Sequence, residues 1–238
     1  MKPADNDNTP CGMESEYASS PCLMHRLDPL TGAVMPEIDR QQRIDVMRWR
    51  KAERQRLIAL RQAIPAAQRR QLSRRIARSL DEVLGDVCGR IASFYWPFRG
   101  EPDLRPWAEA VAARGGVCAL PVVVGRHEQL VFRPWRKGDP LEPGVWNIPV
   151  PSTEVAVTPD IVIAPTVGFD PACYRLGYGG GFFDRTLAAF HHRPRIIGVG
   201  FAAQAIRTIF PQPHDVPMDM IVTESGALTP ADGTRQPA

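Results

Sequence analysis

Apolar positions in the first third of the chain recur at helical spacing and are embedded in basic residues. From about Asp39 to Ile64, Ile44, Met47, Leu57, Ile58 and Leu60 predict one long helix. Pro65 fits the first turn of a second, running to about Leu84 with Leu72, Ile76, Leu80 and Val83 on one face. The period then shortens. Arg90 to Trp96 reads as a strand, Leu104 to Ala113 as a helix and Val117 to Val124 as a strand. Leu130 to Trp135 reads as a short strand after the turn at Gly125-Arg126-His127. Asp160 to Pro165 is a continuous apolar run, too short for a helix and bounded by prolines, as expected of a central strand buried on both faces. Arg195 to Phe201 forms another strand and Met220 to Thr223 a last one.

Strands alternating with helices of this length predict an α/β fold in a single domain. A mostly parallel central sheet is flanked by helices, in a Rossmann-like three-layer arrangement wound with right-handed crossovers. The domain is expected over residues 39–226. Residues 1–38, rich in Asn, Asp, Pro, Ser and Gly without a sustained period, read as an irregular N-terminal extension, mobile or loosely packed; residues 227–238 read as a C-terminal tail. The Pro-rich passage from Gly138 to Pro159 is expected to lack regular structure, and loops of that length often carry function.

Composition narrows the function classes. A length of 238 residues suffices for one α/β domain with a substantial core, and the net charge is +3. Basic residues concentrate between Arg40 and Arg78; a solvated helical face is the simpler reading, and nucleic-acid binding the other. The five cysteines are scattered without a Cys-x-x-Cys pair, so free thiols are expected, and the histidines show no zinc-ligand spacing. With no bilayer-length apolar run and no apolar N-terminal segment, a cytoplasmic protein without membrane partners is expected; it is further expected to be a monomer that acts on small molecules and not on nucleic acid.

The densest chemistry follows the Asp160 to Pro165 strand. Glycines at 177, 179, 180 and 181 form a turn between that strand and a helix carrying Leu187 and Phe190. Glycines there remove the Cβ atoms that would keep an anion from backbone N–H groups. Arg175, just before the turn, either forks phosphate oxygens or pairs with a carboxylate at the surface. Asp184 either ligates Mg²⁺ or supports the helix N-terminus, and Asp215 either ligates Mg²⁺ or ends a loop. Arg50 and Arg54 share a helix face, with Lys51 beside them. Glu101 falls on a loop at the carboxyl edge of the sheet, where α/β proteins usually bind ligands. No nucleophile with a paired base is found, so covalent catalysis has no support.

The run Arg175-Leu176-Gly177-Tyr178-Gly179-Gly180-Gly181-Phe182-Phe183-Asp184-Arg185 resembles the signature of the 5-formyltetrahydrofolate cyclo-ligase (5,10-methenyltetrahydrofolate synthetase) family. Arg50 to Arg54, Phe94 to Asp103, Ala119 to Val123, Gly138 to Leu141 with Trp146 to Pro149, and His214 to Asp219 match that family in order, over roughly residues 45–225. The resemblance implies ATP- and Mg²⁺-dependent closure of 5-formyltetrahydrofolate to 5,10-methenyltetrahydrofolate, with ADP and phosphate released. It implies that Arg175 and the loop Gly177, Tyr178, Gly179, Gly180, Gly181, Phe182 and Phe183 hold ATP, with Arg50 or Lys51 and Arg54 reaching the nucleotide. It further implies that Asp184 and Asp215 hold Mg²⁺, that Glu101 recognises the reduced pterin, and that Arg175, Phe183 and Asp184 act in catalysis. Trp146 either covers folate, as aromatic residues in that loop do in the family, or anchors the loop on the core.

Two departures stand out. Phe182 and Phe183 replace the family's usual tyrosines, and Cys173-Tyr174 replaces small or polar residues before the arginine. Phe182 and Phe183 support a rival reading, a diverged paralogue that binds nucleotide or folate without turnover; the basic helices support a weaker third, a nucleic-acid-binding accessory protein.

Overall fold

The computed structural model describes residues 40–230, so the expected extension 1–38 and residues 231–238 of the expected tail lie outside the described residues. Helix α1 (Arg40–Ala63) contributes its residues through Glu53 to one compact unit and those from Arg54 onward to a second, which holds the sheet. Helix α2 (Ala66–Leu84) follows Pro65, which stands just before its first residue. No helix of the described residues is long and apolar enough to cross a membrane.

Seven strands make the main sheet: β1 (Ile91–Ser93), β2 (Val117–Val123), β3 (Leu130–Pro134), β6 (Ile161–Pro165), β9 (Arg195–Val199), β10 (Met220–Thr223) and β11 (Gly226–Leu228). Their order is β11-β10-β9-β6-β1-β2-β3. The inner pairs are parallel, while β2–β3 and β10–β11 are antiparallel hairpins at the two edges. Two-sided burial explains the apolar runs. Ile161, Ile163, Ile197 and Val199 join Ile76 and Leu80 of α2 and Trp107 and Val111 of helix α3 (Arg105–Ala113) in one core. Val162, Ala164 and Ile196 join Leu187 of helix α4 (Phe182–Ala188) in the other. The alternation along each strand divides its side chains between the two cores.

Three elements differ from the sequence expectation. β11 falls partly within the stretch read as tail; its turn uses Gly226 at φ 117°, a value L-residues avoid. The Pro-rich passage, expected to lack regular structure, contains a small ribbon of β4 (Leu141–Pro143) and β5 (Pro149–Pro151). A two-stranded ribbon tolerates prolines, because each strand has an outer edge where no N–H is needed. The strand expected from Arg90 to Trp96 is shorter and spans Ile91–Ser93.

β1 and β6 are neighbours, yet the chain leaves β1 toward β2 and returns to β1's other side with β6. That is the topological switch point of an α/β sheet, where loops diverge and leave a crevice.

Ile163 lies in the centre of this sheet with no exposed surface. Ile163→Ala should cost about 2–5 kcal/mol of unfolding free energy, the range for truncating a buried aliphatic side chain. Urea denaturation would read the loss as a lower midpoint at unchanged slope.

Candidate active site

The glycine turn is entered through a two-residue hairpin, β7 (Gly168–Phe169) with β8 (Arg175–Leu176). Asp170 staples the connection. Its Oδ1 accepts from the backbone N–H of Ala172 and of Tyr174, both at 3.1 Å, and its Oδ2 accepts from Ile209 N at 3.0 Å. After β8 the chain opens into Gly177 to Gly181. A Cβ on Gly177 would lie 2.6 Å from Arg175 Nη1, so a side chain there would displace the guanidinium. Gly179 and Gly181 adopt φ 97° and 66°, which L-residues rarely do. Arg54 holds the turn from outside by donating from Nε to Gly177 O at 2.7 Å.

Arg175 is buried, and its Nη2 donates to Asp184 Oδ2 at 2.9 Å. Of the two sequence-based readings, the pairing with a carboxylate is present, though inside the protein and not at its surface. Arg175 Nε is buried without an acceptor, which leaves a charged donor for an anion. Its guanidinium carbon sits 5.1 Å from the centroid of the Phe183 ring, and that of Arg185 sits 5.2 Å from the Phe182 ring.

Asp184 does not cap α4. The helix begins at Phe182, its cap position is Gly181 with no side-chain cap bond, and Asp184 sits in its first turn. The carboxylate faces Arg175, and its Oδ1 accepts from Val216 N at 3.4 Å. This brings Asp184 beside the residue that follows Asp215. Asp215 itself closes a tight turn, with Oδ2 accepting from Gln212 N at 2.6 Å. Among the described residues no cluster of three or more His, Cys, Asp or Glu forms a closed metal cage.

Across the switch point, Glu101 is buried and not open on its loop. Its Oε2 accepts from Phe98 N at 2.9 Å, and its Oε1 accepts from the Tyr178 hydroxyl at 2.8 Å. Burial pushes its pKa up to about 7 against the opposing pull of Arg61, the Phe98 N–H and the Tyr178 hydroxyl. A carboxylate offers about four acceptor directions, so these bonds leave capacity for a ligand.

Trp146 has φ 57° and is 56% exposed, so it is not a core anchor. Its ring stacks on Phe98 at 6.1 Å and 12°, with Tyr178 tilted 6.1 Å away. Three aromatic rings thus gather at the Glu101 loop.

The structure therefore brings Arg54, Arg175, the glycine loop, Phe182, Phe183, Asp184 and the Asp215 turn to one region, with Glu101 and Trp146 joined to it through Tyr178. Arg50 and Lys51 lie on α1 in the first unit. Arg61 was not among the expected site residues. It has no exposed surface, and its Nη2 donates to the Tyr178 hydroxyl at 2.6 Å. Its signal is placement four residues after the buried Leu57, which puts it on the apolar side of the helix.

The chain resembles known proteins in both sequence and fold. The sequence model of the 5-formyltetrahydrofolate cyclo-ligase family matches residues 46–224. The chain is 28% identical over 172 residues to a 5-formyltetrahydrofolate cyclo-ligase of Escherichia coli (strain K12), covering 69% of this chain and 94% of that protein. It is 26% identical to one from Haemophilus influenzae, covering 68% and 91%. The NMR structure of Aquifex aeolicus 5,10-methenyltetrahydrofolate synthetase superposes with a TM-score of 0.67 at 26% identity, over 79% of this chain and 96% of that one. The Mycoplasma pneumoniae 5,10-methenyltetrahydrofolate synthetase shares the fold, with a TM-score of 0.61 at 21% identity, over 74% and 98%.

Because Arg175 and Asp184 are a buried pair, removing one charge strands the other. Arg175→Ala should lower the unfolding free energy by about 1–3 kcal/mol. The double variant Arg175→Ala/Asp184→Asn should lose less than the sum of the two single losses, as measured by urea denaturation of all four proteins.

Proposed function

As the chain belongs to the 5-formyltetrahydrofolate cyclo-ligase family, we propose that it converts 5-formyltetrahydrofolate to 5,10-methenyltetrahydrofolate, consuming ATP in the presence of Mg²⁺ and releasing ADP and phosphate. The observation that carries this reading is the meeting of two unlike recognition surfaces through Tyr178. On one side is a glycine loop backed by Arg175, suited to phosphate. On the other is a buried carboxylate under aromatic rings, suited to the N–H groups and flat face of a reduced pterin.

The chemistry matches these parts. An amide-like formyl carbon is a poor electrophile, and transfer of the γ-phosphoryl group to its oxygen makes that oxygen a leaving group. N10 can then close the ring as phosphate departs. Such a reaction needs aligned reactants and neutralised charge more than it needs a protein nucleophile. Arg175 supplies a buried cation with an unused donor, and the loop supplies backbone N–H groups that no Cβ obstructs. Glu101 orients the pterin so that its formyl oxygen points toward the phosphate loop.

Asp184 and Asp215 are the residues that would hold Mg²⁺. Two carboxylates fit a hard cation that takes its remaining ligands from phosphate and water. The ion would neutralise charge on the phosphate oxygens. Asp184→Asn and Asp215→Asn should each raise the Mg²⁺ concentration for half-maximal rate several-fold, by loss of one ligand charge. A titration of rate against Mg²⁺ checks this, and unchanged half-saturation removes that residue from the site.

One observation favours the second reading, binding without turnover: the rings of Phe182 and Phe183 carry no hydroxyl to bond a ligand. The deciding experiment follows the rise of methenyltetrahydrofolate absorbance when the purified protein meets 5-formyltetrahydrofolate and MgATP, with ATP omitted as control. Product formation at an enzyme's ordinary rate is expected, and Phe182→Tyr and Phe183→Tyr should raise kcat with little effect on ATP affinity. A parent and a double variant that both bind MgATP but form no product would establish the second reading instead.

A further inference from the structure

Three segments that make up the site meet at one guanidinium. Arg61 donates from Nε to Arg99 O at 3.0 Å, from Nη1 to Thr166 O at 3.3 Å, and from Nη2 to Phe98 O at 3.4 Å. The same Nη2 donates to the Tyr178 hydroxyl, which in turn donates to Glu101 Oε1. Arg61 Nη1 itself lies 3.9 Å from Glu101 Oε1, with both side chains essentially without exposed surface. Phe98, Arg99 and Glu101 follow β1, Thr166 follows β6, and Tyr178 stands inside the glycine loop. The phenol therefore belongs to the loop suited to phosphate, while its hydroxyl bonds the carboxylate assigned to the pterin.

We infer that Arg61 and Tyr178 are positioning residues: they fix the direction of the Glu101 carboxyl group, and they make the glycine loop itself one of its supports. The inference rests on the folate reading of Glu101 for its consequence in binding, but not for the hold on Glu101.

The charges around Glu101 give the sign of the effect. Arg61, the Phe98 N–H and the Tyr178 hydroxyl favour the carboxylate, whereas burial opposes it. Tyr95, whose hydroxyl donates to Pro102 O at 3.2 Å, stands near Glu101 with its own pKa raised chiefly by burial. Asp103, the next acid along the loop, is paired with Arg105 at 2.7 Å. Removing the Tyr178 hydroxyl takes away one of the three groups that favour the carboxylate. Glu101 should then hold its proton to higher pH. Tyr178→Phe isolates that change, because the ring that packs on Phe98 and Trp146 is kept.

Two measurements on the full chain test the inference. The first is the carbon-13 NMR titration of Glu101, whose carboxyl resonance is identified by its loss in Glu101→Gln. The second is the Kd of 5-formyltetrahydrofolate as a function of pH without nucleotide. In the parent the NMR midpoint should fall near pH 7, and folate binding should tighten as pH rises through it. In Tyr178→Phe both should move upward together, by about half a pH unit to one unit. A one-unit move would weaken folate binding at pH 7 by about fivefold. An NMR midpoint identical in parent and variant overturns the inference; a folate-binding curve that stays put while the midpoint moves supports the hold on Glu101 and overturns its assignment to folate. A midpoint that differs between parent and Tyr178→Phe, in a protein that binds no folate at any pH, supports the hold on Glu101 and overturns the folate reading.

Discussion

The buried guanidinium of Arg61 is the constraint around which the site is organised. A cation removed from water must find acceptors or it destabilises the fold by several kcal/mol. This one is satisfied by carbonyl oxygens of Phe98, Arg99 and Thr166 and by the Tyr178 hydroxyl. Those acceptors lie on the loop after β1, the end of β6 and the glycine loop. An apolar cluster of Leu57, Val167, Leu176 and Ile209 closes beside them, so the polar contacts are made in a dry setting where an absent partner would be most costly. The sheet's switch point opens the crevice, and the demand of one charge for partners draws the walls together.

The two arginines of the region show how the same group takes opposite roles. Arg61 donates from all three of its nitrogens to protein oxygens, and little of its bonding capacity is left for a ligand. Arg175 is paired with a single carboxylate, and its Nε lacks an acceptor. A saturated guanidinium fixes geometry; an incompletely satisfied one, held near a backbone cradle, is prepared for an anion. Burial alone would not distinguish them, since both are nearly inaccessible.

Much of the fold was legible because two-sided burial leaves a strong mark. Ile161 to Pro165 and Ile196 to Val199 are uninterrupted apolar stretches since both faces of a central strand are covered. The edge elements were less visible. β4, β5 and β11 are three residues each, too short to show a period, and two of them carry prolines that ordinarily argue against a strand. Within the site, the glycine loop announced itself by composition, and Arg175 and Asp184 by their spacing around it. Arg61 did not stand out, for it lies in a basic helix where most arginines are solvated. The pairing of Tyr178 with Glu101 joins positions 77 residues apart and leaves no local pattern at all.

Phe182 and Phe183 show why a side chain's ring and its hydroxyl must be considered separately. Each ring face lies close to a guanidinium, Phe183 to that of Arg175 and Phe182 to that of Arg185. The attraction between a cation and a ring comes from the π-face, and it persists when the hydroxyl is absent. Arg185 is also tied back to Gly180 O at 2.9 Å, so the loop, the ring and the cation brace one another. The backbone of the cradle depends on glycine conformation and on Arg54, neither of which involves a phenol. Holding the loop in shape and bonding a reacting ligand are thus separable tasks. The structural task is met by residues present in this chain. A tyrosine at these positions would add a hydroxyl, a donor and acceptor that the loop's own contacts do not require.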